Sequence, residues 1–250
     1  LSKEYIYAGS RLLAVEDANA TAAPPADLAI WRPSTGQWWV AGSTGSQQTT
    51  QQWGISTDIP VPADYDGDGK TDFCVYREVS SSTSQWFLFR SSDSTTTTIY
   101  FGTETLDDKP APADFDGDGK TDIAVYRPGA TNGTWYISRS SDSVLGVEYF
   151  GLTNDKPVPA DYDGDGKADA ALWRNSDTNF YTRQSSDNTD ITTNFTQTST
   201  DPVPGDFDGD GKTDYAIRNG ADWIIRSSST GQIGTAIPWQ SGSDIAVQND

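Results

Sequence analysis

Apolar residues in this chain recur in short alternating runs, and the runs recur in a fixed order. One run alternates up to an arginine: Phe73 to Arg77, Ile123 to Arg127, Ala170 to Arg174 and a one-residue-shorter Tyr215 to Arg218. A loop follows, then a run led by an aromatic at Trp86, Trp135, Phe180 or Trp223, then a Ser-rich turn such as Ser91-Ser92-Asp93 or Ser140-Ser141-Asp142. A third run closes on an aromatic, usually with glycine after it: Phe101-Gly102, Phe150-Gly151 and Phe195-Thr196. Each set is led by a Pro-containing stretch, Val61-Pro62-Ala63, Ala111-Pro112-Ala113, Val158-Pro159-Ala160 or Val203-Pro204-Gly205. Alternation with a period of two places every other side chain on one face of a strand. Each set therefore predicts four strands in about 47 residues, the size of one β-propeller blade. Helical periodicity is absent throughout.

Between the Pro-led stretch and the Arg-ended run sits an acidic nonapeptide, which makes the period explicit. It reads DYDGDGKTD from Asp64, DFDGDGKTD from Asp114, DYDGDGKAD from Asp161 and DFDGDGKTD from Asp206, so successive copies start 50, 47 and 45 residues apart. A period of this size indicates a solenoid or a propeller. A fifth copy lies at the ends of the chain. Asp27-Leu28-Ala29-Ile30-Trp31-Arg32 matches the Arg-ended run, Trp38-Trp39-Val40 the aromatic-led run and Trp53-Gly54 the closing pair. Trp53 precedes Asp64 by eleven residues, as Trp239 precedes the last residue, Asp250. Residues 244–250 are therefore expected to supply the missing first strand of blade one, closing the ring and removing exposed sheet edges.

The expected architecture is all-β, a single five-bladed propeller over residues 19–250. Blade one takes about 19–57 plus 244–250, and blades two to five take about 58–107, 108–154, 155–200 and 201–243. Residues 1–18 fall outside the period, as a tail or an added edge strand on blade one. The stretch Tyr5 to Ala14 resembles the tyrosine-rich ending of RHS/YD-repeat shells, which implies a module attached to a larger surface protein.

Composition narrows the function classes. Hydrophobic residues are only 34% of the 250, but nine Trp, eleven Tyr and nine Phe supply the apolar area a core needs. Seventeen basic residues against 36 acidic ones, a net charge of −19, argue against nucleic acid and against anionic lipid. No apolar run reaches the length of a membrane helix, and Leu1-Ser2-Lys3-Glu4 does not read as a signal peptide. The absence of Met points to a processed or excised part of something longer. A single cysteine, Cys74, excludes an internal disulfide; it occupies the column of Ala29, Ala124, Ala171 and Ala216 and reads as a small packed residue.

The nonapeptide carries the clearest chemistry. Carboxylates at alternate positions of a tight turn converge on one point, and a hard cation such as Ca²⁺ takes six to eight oxygens. The expected ligands are the side chains of Asp64, Asp66, Asp68 and Asp72 with the carbonyl of Lys70. The later copies give Asp114, Asp116, Asp118 and Asp122 with Lys120; Asp161, Asp163, Asp165 and Asp169 with Lys167; and Asp206, Asp208, Asp210 and Asp214 with Lys212. Gly69 follows the third Asp, where the turn must bend sharply. The loops hold sixteen of the 36 acids and four of the 17 basic residues, so most of the net charge is loop charge. The split fifth loop offers only Asp27 and Asp250, which sets the expected count at four Ca²⁺ per chain.

With its Phe-Gly pair upstream and Pro-Val-Pro-Ala-Asp lead-in, this loop resembles the FG-GAP/VCBS repeats of bacterial surface proteins and the calcium-bearing blades of integrin α-subunit propellers. The resemblance covers residues 19–250 and implies that the loop positions named above are Ca²⁺ ligands. Integrin-type propellers have seven blades, so the count of five rests on the repeats alone.

Other chemistry is restricted. With no His, the Ser-His-Asp and Cys-His mechanisms and the usual His-rich zinc sites are impossible. A hydrolase pair would need acids that break the repeat. Most acids here are periodic: Asp58, Asp108, Asp155, Asp201 and Asp244 form one column and Asp93, Asp142 and Asp187 another. No enzymatic activity is expected. The column Arg32, Arg77, Arg127, Arg174 and Arg218, followed by Trp38, Trp86, Trp135, Phe180 and Trp223, has two readings. It packs the blades, with Arg over the aromatic faces, or it forms repeated pockets in which rings stack on sugars. The expected function is an extracellular, secreted or cell-surface binding module. A lectin for glycans comes first, a protein-adhesion or display module of an RHS-type surface protein second, and a five-bladed glycoside hydrolase is the remote third; nucleic acid and membrane insertion are excluded, and the module is expected to be a monomeric part of a larger protein.

Overall fold

The structure is a computed structural model. It describes residues 3–8, 11–17, 28–41, 48–79, 83–197, 201–219, 222–234 and 237–238. The alternating runs form strands, as period-two patterning dictates. Strands β1 (Lys3–Ala8) and β2 (Arg11–Asp17) make a separate antiparallel hairpin. A first sheet contains β3 (Leu28–Arg32), β4 (Gln37–Ala41) and β5 (Gln48–Gln52).

Four four-stranded antiparallel sheets follow in chain order. The second is β6 (Ile59–Pro60), β7 (Phe73–Arg77), β8 (Thr83–Phe89) and β9 (Thr96–Thr103), and a 3-10 turn at Glu104–Leu106 leads out of it. The third is β10 (Lys109–Pro110), β11 (Ile123–Arg127), β12 (Thr134–Ser138) and β13 (Leu145–Tyr149). The fourth is β14 (Lys156–Pro157), β15 (Ala170–Arg174), β16 (Asn179–Arg183) and β17 (Asp190–Asn194). The fifth is β18 (Asp201–Pro202), β19 (Tyr215–Asn219), β20 (Asp222–Arg226) and β21 (Ile237–Pro238).

Two expectations about the ends need comment. Residues 1–18 were expected as a tail or an edge strand; their described part is a hairpin that forms its own sheet and does not extend β3–β5. The closing strand expected at 244–250, with Asp27 and Asp250, lies outside the described residues.

The core lies between successive sheets. Trp31 and Trp38 of the first sheet pack on Val75 of the second. Cys74, Tyr76, Trp86 and Leu88 of the second pack on Ile123 and Val125 of the third. Tyr126, Trp135 and Ile137 of the third meet Ala170 and Leu172 of the fourth. Trp173, Phe180 and Phe195 of the fourth meet Ile217 and Ile224 of the fifth. Buried area on this scale is the main favourable term in folding, and here it ties each sheet to the next rather than closing any sheet on itself. Cys74 is fully buried in this packing, which pushes its thiol pKa up and makes it inert.

The connections differ in tolerance. The acidic nonapeptide keeps its nine residues in every copy. The opposite connection, from the second strand of a sheet to the third, runs over 78–82, 128–133, 175–178 and 220–221 in successive sheets, so it varies from six residues to two.

Candidate metal loops

Each acidic loop is held by its first aspartate. In the first loop, Asp64 Oδ1 accepts hydrogen bonds from the Gly67 N–H (2.7 Å) and the Asp68 N–H (3.3 Å), and Oδ2 accepts from the Gly69 N–H (2.7 Å). Both glycines are left-handed, φ +78° and +79°, which turns their N–H groups onto one carboxylate. The same bonds recur at Asp114, Asp161 and Asp206. The last aspartate closes the loop. Asp72 is fully buried; its Oδ2 accepts from the Tyr65 N–H (3.0 Å) and its Oδ1 from the Ser91 N–H (2.7 Å).

The Ser-rich turn is a part of the site that sequence reasoning missed. Besides the backbone bond to Asp72, it donates the Ser92 hydroxyl to Asp66 Oδ2 (2.5 Å). Ser141 and Ser186 do the same for Asp116 and Asp163, and both Ser227 and Ser229 bond Asp208. Ser140, Ser185 and Ser228 donate their hydroxyls to Asp118, Asp165 and Asp210. The recurring Ser pair in each repeat was the available signal.

Carboxylate oxygens of Asp64, Asp66 and Asp72 lie within 4.8 Å of one another, as do those of Asp114, Asp116 and Asp122, of Asp161, Asp163 and Asp169, and of Asp206, Asp208 and Asp210. The expected set is thus gathered in part. Asp68, Asp118 and Asp165 stand outside the first three clusters, and Asp68 Oδ1 accepts from the Lys70 N–H (2.9 Å) instead. In the fourth loop Asp214 is the one left out.

Electrostatics favour a cation here. Burial pushes the Asp72 carboxyl up to about 6 against the Ser91 and Tyr65 N–H bonds, with the Asp66 charge adding to the rise. Burial likewise raises Asp169 to about 6, and raises Asp122 and Asp214. Asp116 Oδ1 is buried with no hydrogen-bond partner, an acceptor in want of a positive charge. The oxygen-only donor set suits a hard cation. These four clusters could hold metal ions.

At the other end of each sheet the carboxylates are already paired. Arg77 donates Nε and Nη2 to the two oxygens of Asp58 at 2.7 and 2.9 Å. Arg127 pairs with Asp108 and Arg174 with Asp155 in the same way, and all three Asp side chains are fully buried. The rings under these guanidinium groups are Phe87, Tyr136 and Tyr181, at 4.3, 4.5 and 4.3 Å, and not the expected Trp86, Trp135 and Phe180. Those residues and Trp38 are fully buried, and Trp223 nearly so. The indole N–H groups of Trp38, Trp86 and Trp135 donate to the carbonyls of the closing aromatics Trp53, Phe101 and Phe150. The aromatic column therefore packs the sheets and offers no face to a sugar.

Register corrects two further assignments. Arg218 pairs with Trp223 exactly where Tyr76 pairs with Trp86 and Tyr126 with Trp135, so it stands in the tyrosine column and Asn219 stands in the arginine column. Asp201 pairs with Arg218 as Ile59 pairs with Tyr76, so it is one place beyond the column of Asp58, Asp108 and Asp155. The fifth sheet has lost both partners of the Arg–Asp pair together. Arg32 keeps the arginine register, opposite Gln37.

A family profile described as FG-GAP-like repeat matches residues 64–125 and 161–217, which contain all four acidic loops. The chain carries FG-GAP-like repeats in a β-propeller-like fold. Three solved structures share its fold with little sequence in common. TolB from Acinetobacter baumannii has a TM-score of 0.56 at 19% identity, over 86% of this chain and 53% of that one. A protein of unknown function from Bacteroides thetaiotaomicron has a TM-score of 0.54 at 15% identity, over 91% and 61%. Another from Bacteroides caccae has 0.53 at 8%, over 86% and 73%. The FG-GAP chain thus spans about half the length of TolB. No curated protein matches it.

Proposed function

We propose that this FG-GAP-repeat chain is a calcium-stapled, non-enzymatic display module of an extracellular protein, built as five blades closed by residues 244–250. The observation that carries the reading is the recurrence of one carboxylate cluster, clamped by one Ser-rich turn, in four successive sheets. Asp64, Asp66 and Asp72 and their equivalents would hold Ca²⁺, with the Lys70-type carbonyl and the Asp68-type carboxylate completing the oxygen set, four ions per chain. Bound Ca²⁺ supplies the positive charge that these acids lack. The chain's own residues do the rest: glycine N–H groups aim the first Asp, and serine groups orient the second and last. Extracellular calcium modules bind at about 10⁻⁴ to 10⁻³ M, which suits a secreted or cell-surface location.

The absence of His and the pairing or clustering of the periodic acids support a binding rather than a catalytic role. Among the described residues no helix is long and apolar enough to cross a membrane, and the net charge of −19 disfavours nucleic acid. The partner is a cell-surface protein, and the module a monomeric part of a larger chain. Isothermal titration calorimetry should count four Ca²⁺ per chain. No bound calcium, or a melting temperature indifferent to EDTA, would overturn the reading.

One observation keeps a glycan partner in view. Tyr100 and Tyr149 stand at equivalent outer-strand positions, 65% and 64% exposed, and offer ring faces that the buried column does not. A glycan array probed with the native chain and with Tyr100→Ala/Tyr149→Ala tests this. Sugar hits lost in the variant favour the lectin; no hits leave protein adhesion.

A further inference from the structure

The four loops touch one another in series. The Thr121 N–H of the second loop donates to the Asp64 carbonyl of the first (2.8 Å), the Ala168 N–H of the third to the Asp114 carbonyl (2.7 Å), and the Thr213 N–H of the fourth to the Asp161 carbonyl (2.7 Å). The donor in each case belongs to the peptide unit whose oxygen is the Lys120, Lys167 or Lys212 carbonyl. One planar peptide thus joins two loops: its oxygen belongs to a residue of its own loop, and its N–H bonds the loop before. A second contact runs beside the first. The Lys120 stem lies against Gly67, where an added Cβ would sit 2.9 Å from Cγ, and Gly67 is a residue that aims Asp64. Lys167 covers Gly117 and Lys212 covers Gly164 in the same way.

We propose that these shared peptides make the loops bind cations as a coupled series, in which filling one loop raises the affinity of its neighbour about fivefold. The inference rests on the calcium reading above. A cation drawn to the Lys120 oxygen polarises the peptide and strengthens its N–H as a donor, as chained hydrogen bonds do. The stronger bond fixes the Asp64 backbone, so ordering that the first ion required is already met for the second. Linkage makes the effect reciprocal. The opposing effect is electrostatic: a filled loop weakens the negative field at the next. That term acts between exposed charges and fades in salt, because the Debye length is about 3 Å at about 1 M. The peptide-borne term does not.

Calcium titrations in about 1 M KCl decide the matter. Asp163→Ala/Asp208→Ala keeps the adjacent first and second loops, and Asp116→Ala/Asp163→Ala keeps the first and fourth. The adjacent pair should bind its second ion about fivefold more tightly than its first, and the separated pair should bind two ions independently. Equal behaviour of the two variants overturns the proposal. In Asp66→Ala/Asp208→Ala, which keeps the second and third loops, lactic acid in place of Ala168 removes the shared N–H as an ester. Coupling should vanish while both ions still bind; coupling that survives the ester overturns it. If an alanine variant loses its β circular dichroism, asparagine at the same positions makes the same comparison. A native chain that binds no calcium is a separate result, seen before any variant is made, and removes the calcium reading with the coupling.

Discussion

The two ends of each sheet use carboxylates in opposite ways. At one end Asp58, Asp108 and Asp155 are buried, but each receives a bidentate arginine and a backbone N–H, from Ile55, Thr103 or Leu152. At the other end the loop aspartates receive only neutral N–H and O–H donors, and no ion pair among the described residues reaches them. The first end is electrically complete within the chain; among the described residues the second has no cationic side chain paired with its carboxylates. The fifth sheet sharpens the contrast, since it dispenses with the arginine pair and keeps the acidic loop.

Chelation should break the comparison most strongly. A metal that binds only the folded state stabilises it by about 2.7 kcal/mol per site at a hundredfold excess over Kd. EDTA should therefore lower the melting temperature by an amount that accumulates over the loops. The next effect belongs to the other end. Arg127→Ala strands the buried Asp108 charge and removes the cation from Tyr136, for a loss of about 3–5 kcal/mol. Denaturant melts should give the same loss with calcium and with EDTA; a calcium-dependent loss would mean that the two ends are not independent.

Acidity should act most strongly on the loops, with a sign that depends on the metal; outside them burial also raises the Glu148 carboxyl. Asp72 and Asp169 titrate at about 6 in the fold against an ordinary 3.8, so the folded state holds more protons than the unfolded between those values. Stability of the calcium-free protein should then fall as pH rises from about 4 to about 6, and level off above. Protons compete with the cation, so the stabilisation by calcium should grow over the same window. Melting curves with EDTA and with calcium should shift by a few degrees in opposite directions. The smallest effect separates two glycines of one loop. Gly119 has φ +82° and nothing near its Cβ position, so Gly119→Ala costs only backbone strain, about 1–2 kcal/mol. Gly117, at φ +78°, lies under the Lys167 stem, and Gly117→Ala should cost more by displacing it. Equal losses would deny the packing between loops.

The repeat made much of this legible, because a column of identical residues reports an identical environment. The strands, the loop aspartates and the inert Cys74 followed from it. What failed were offsets of one residue. Asp201 precedes Asp206 by five positions, whereas Asp58, Asp108 and Asp155 precede their loops by six, and a strand that slips by one residue turns its side chains to the other face. The arginines lie over Phe87, Tyr136 and Tyr181 rather than the residues before them for the same reason: neighbours in a strand face opposite ways. The serine clamp escaped notice because half of it is backbone N–H, which composition does not reveal.

The unequal connections opposite the acidic loops have a practical meaning. A nine-residue turn that never changes length and a link that ranges from two residues to six divide the repeat into a grammar and a vocabulary. The stretch at 128–133 joins β11 to β12 at the end of the sheet away from the carboxylate clusters and is the longest of these links. Lengthening a surface loop adds only slowly to its closure entropy. A foreign peptide or a second domain spliced there would sit at the end of the sheet away from the acidic loops, so the scaffold can change what it carries without changing those loops.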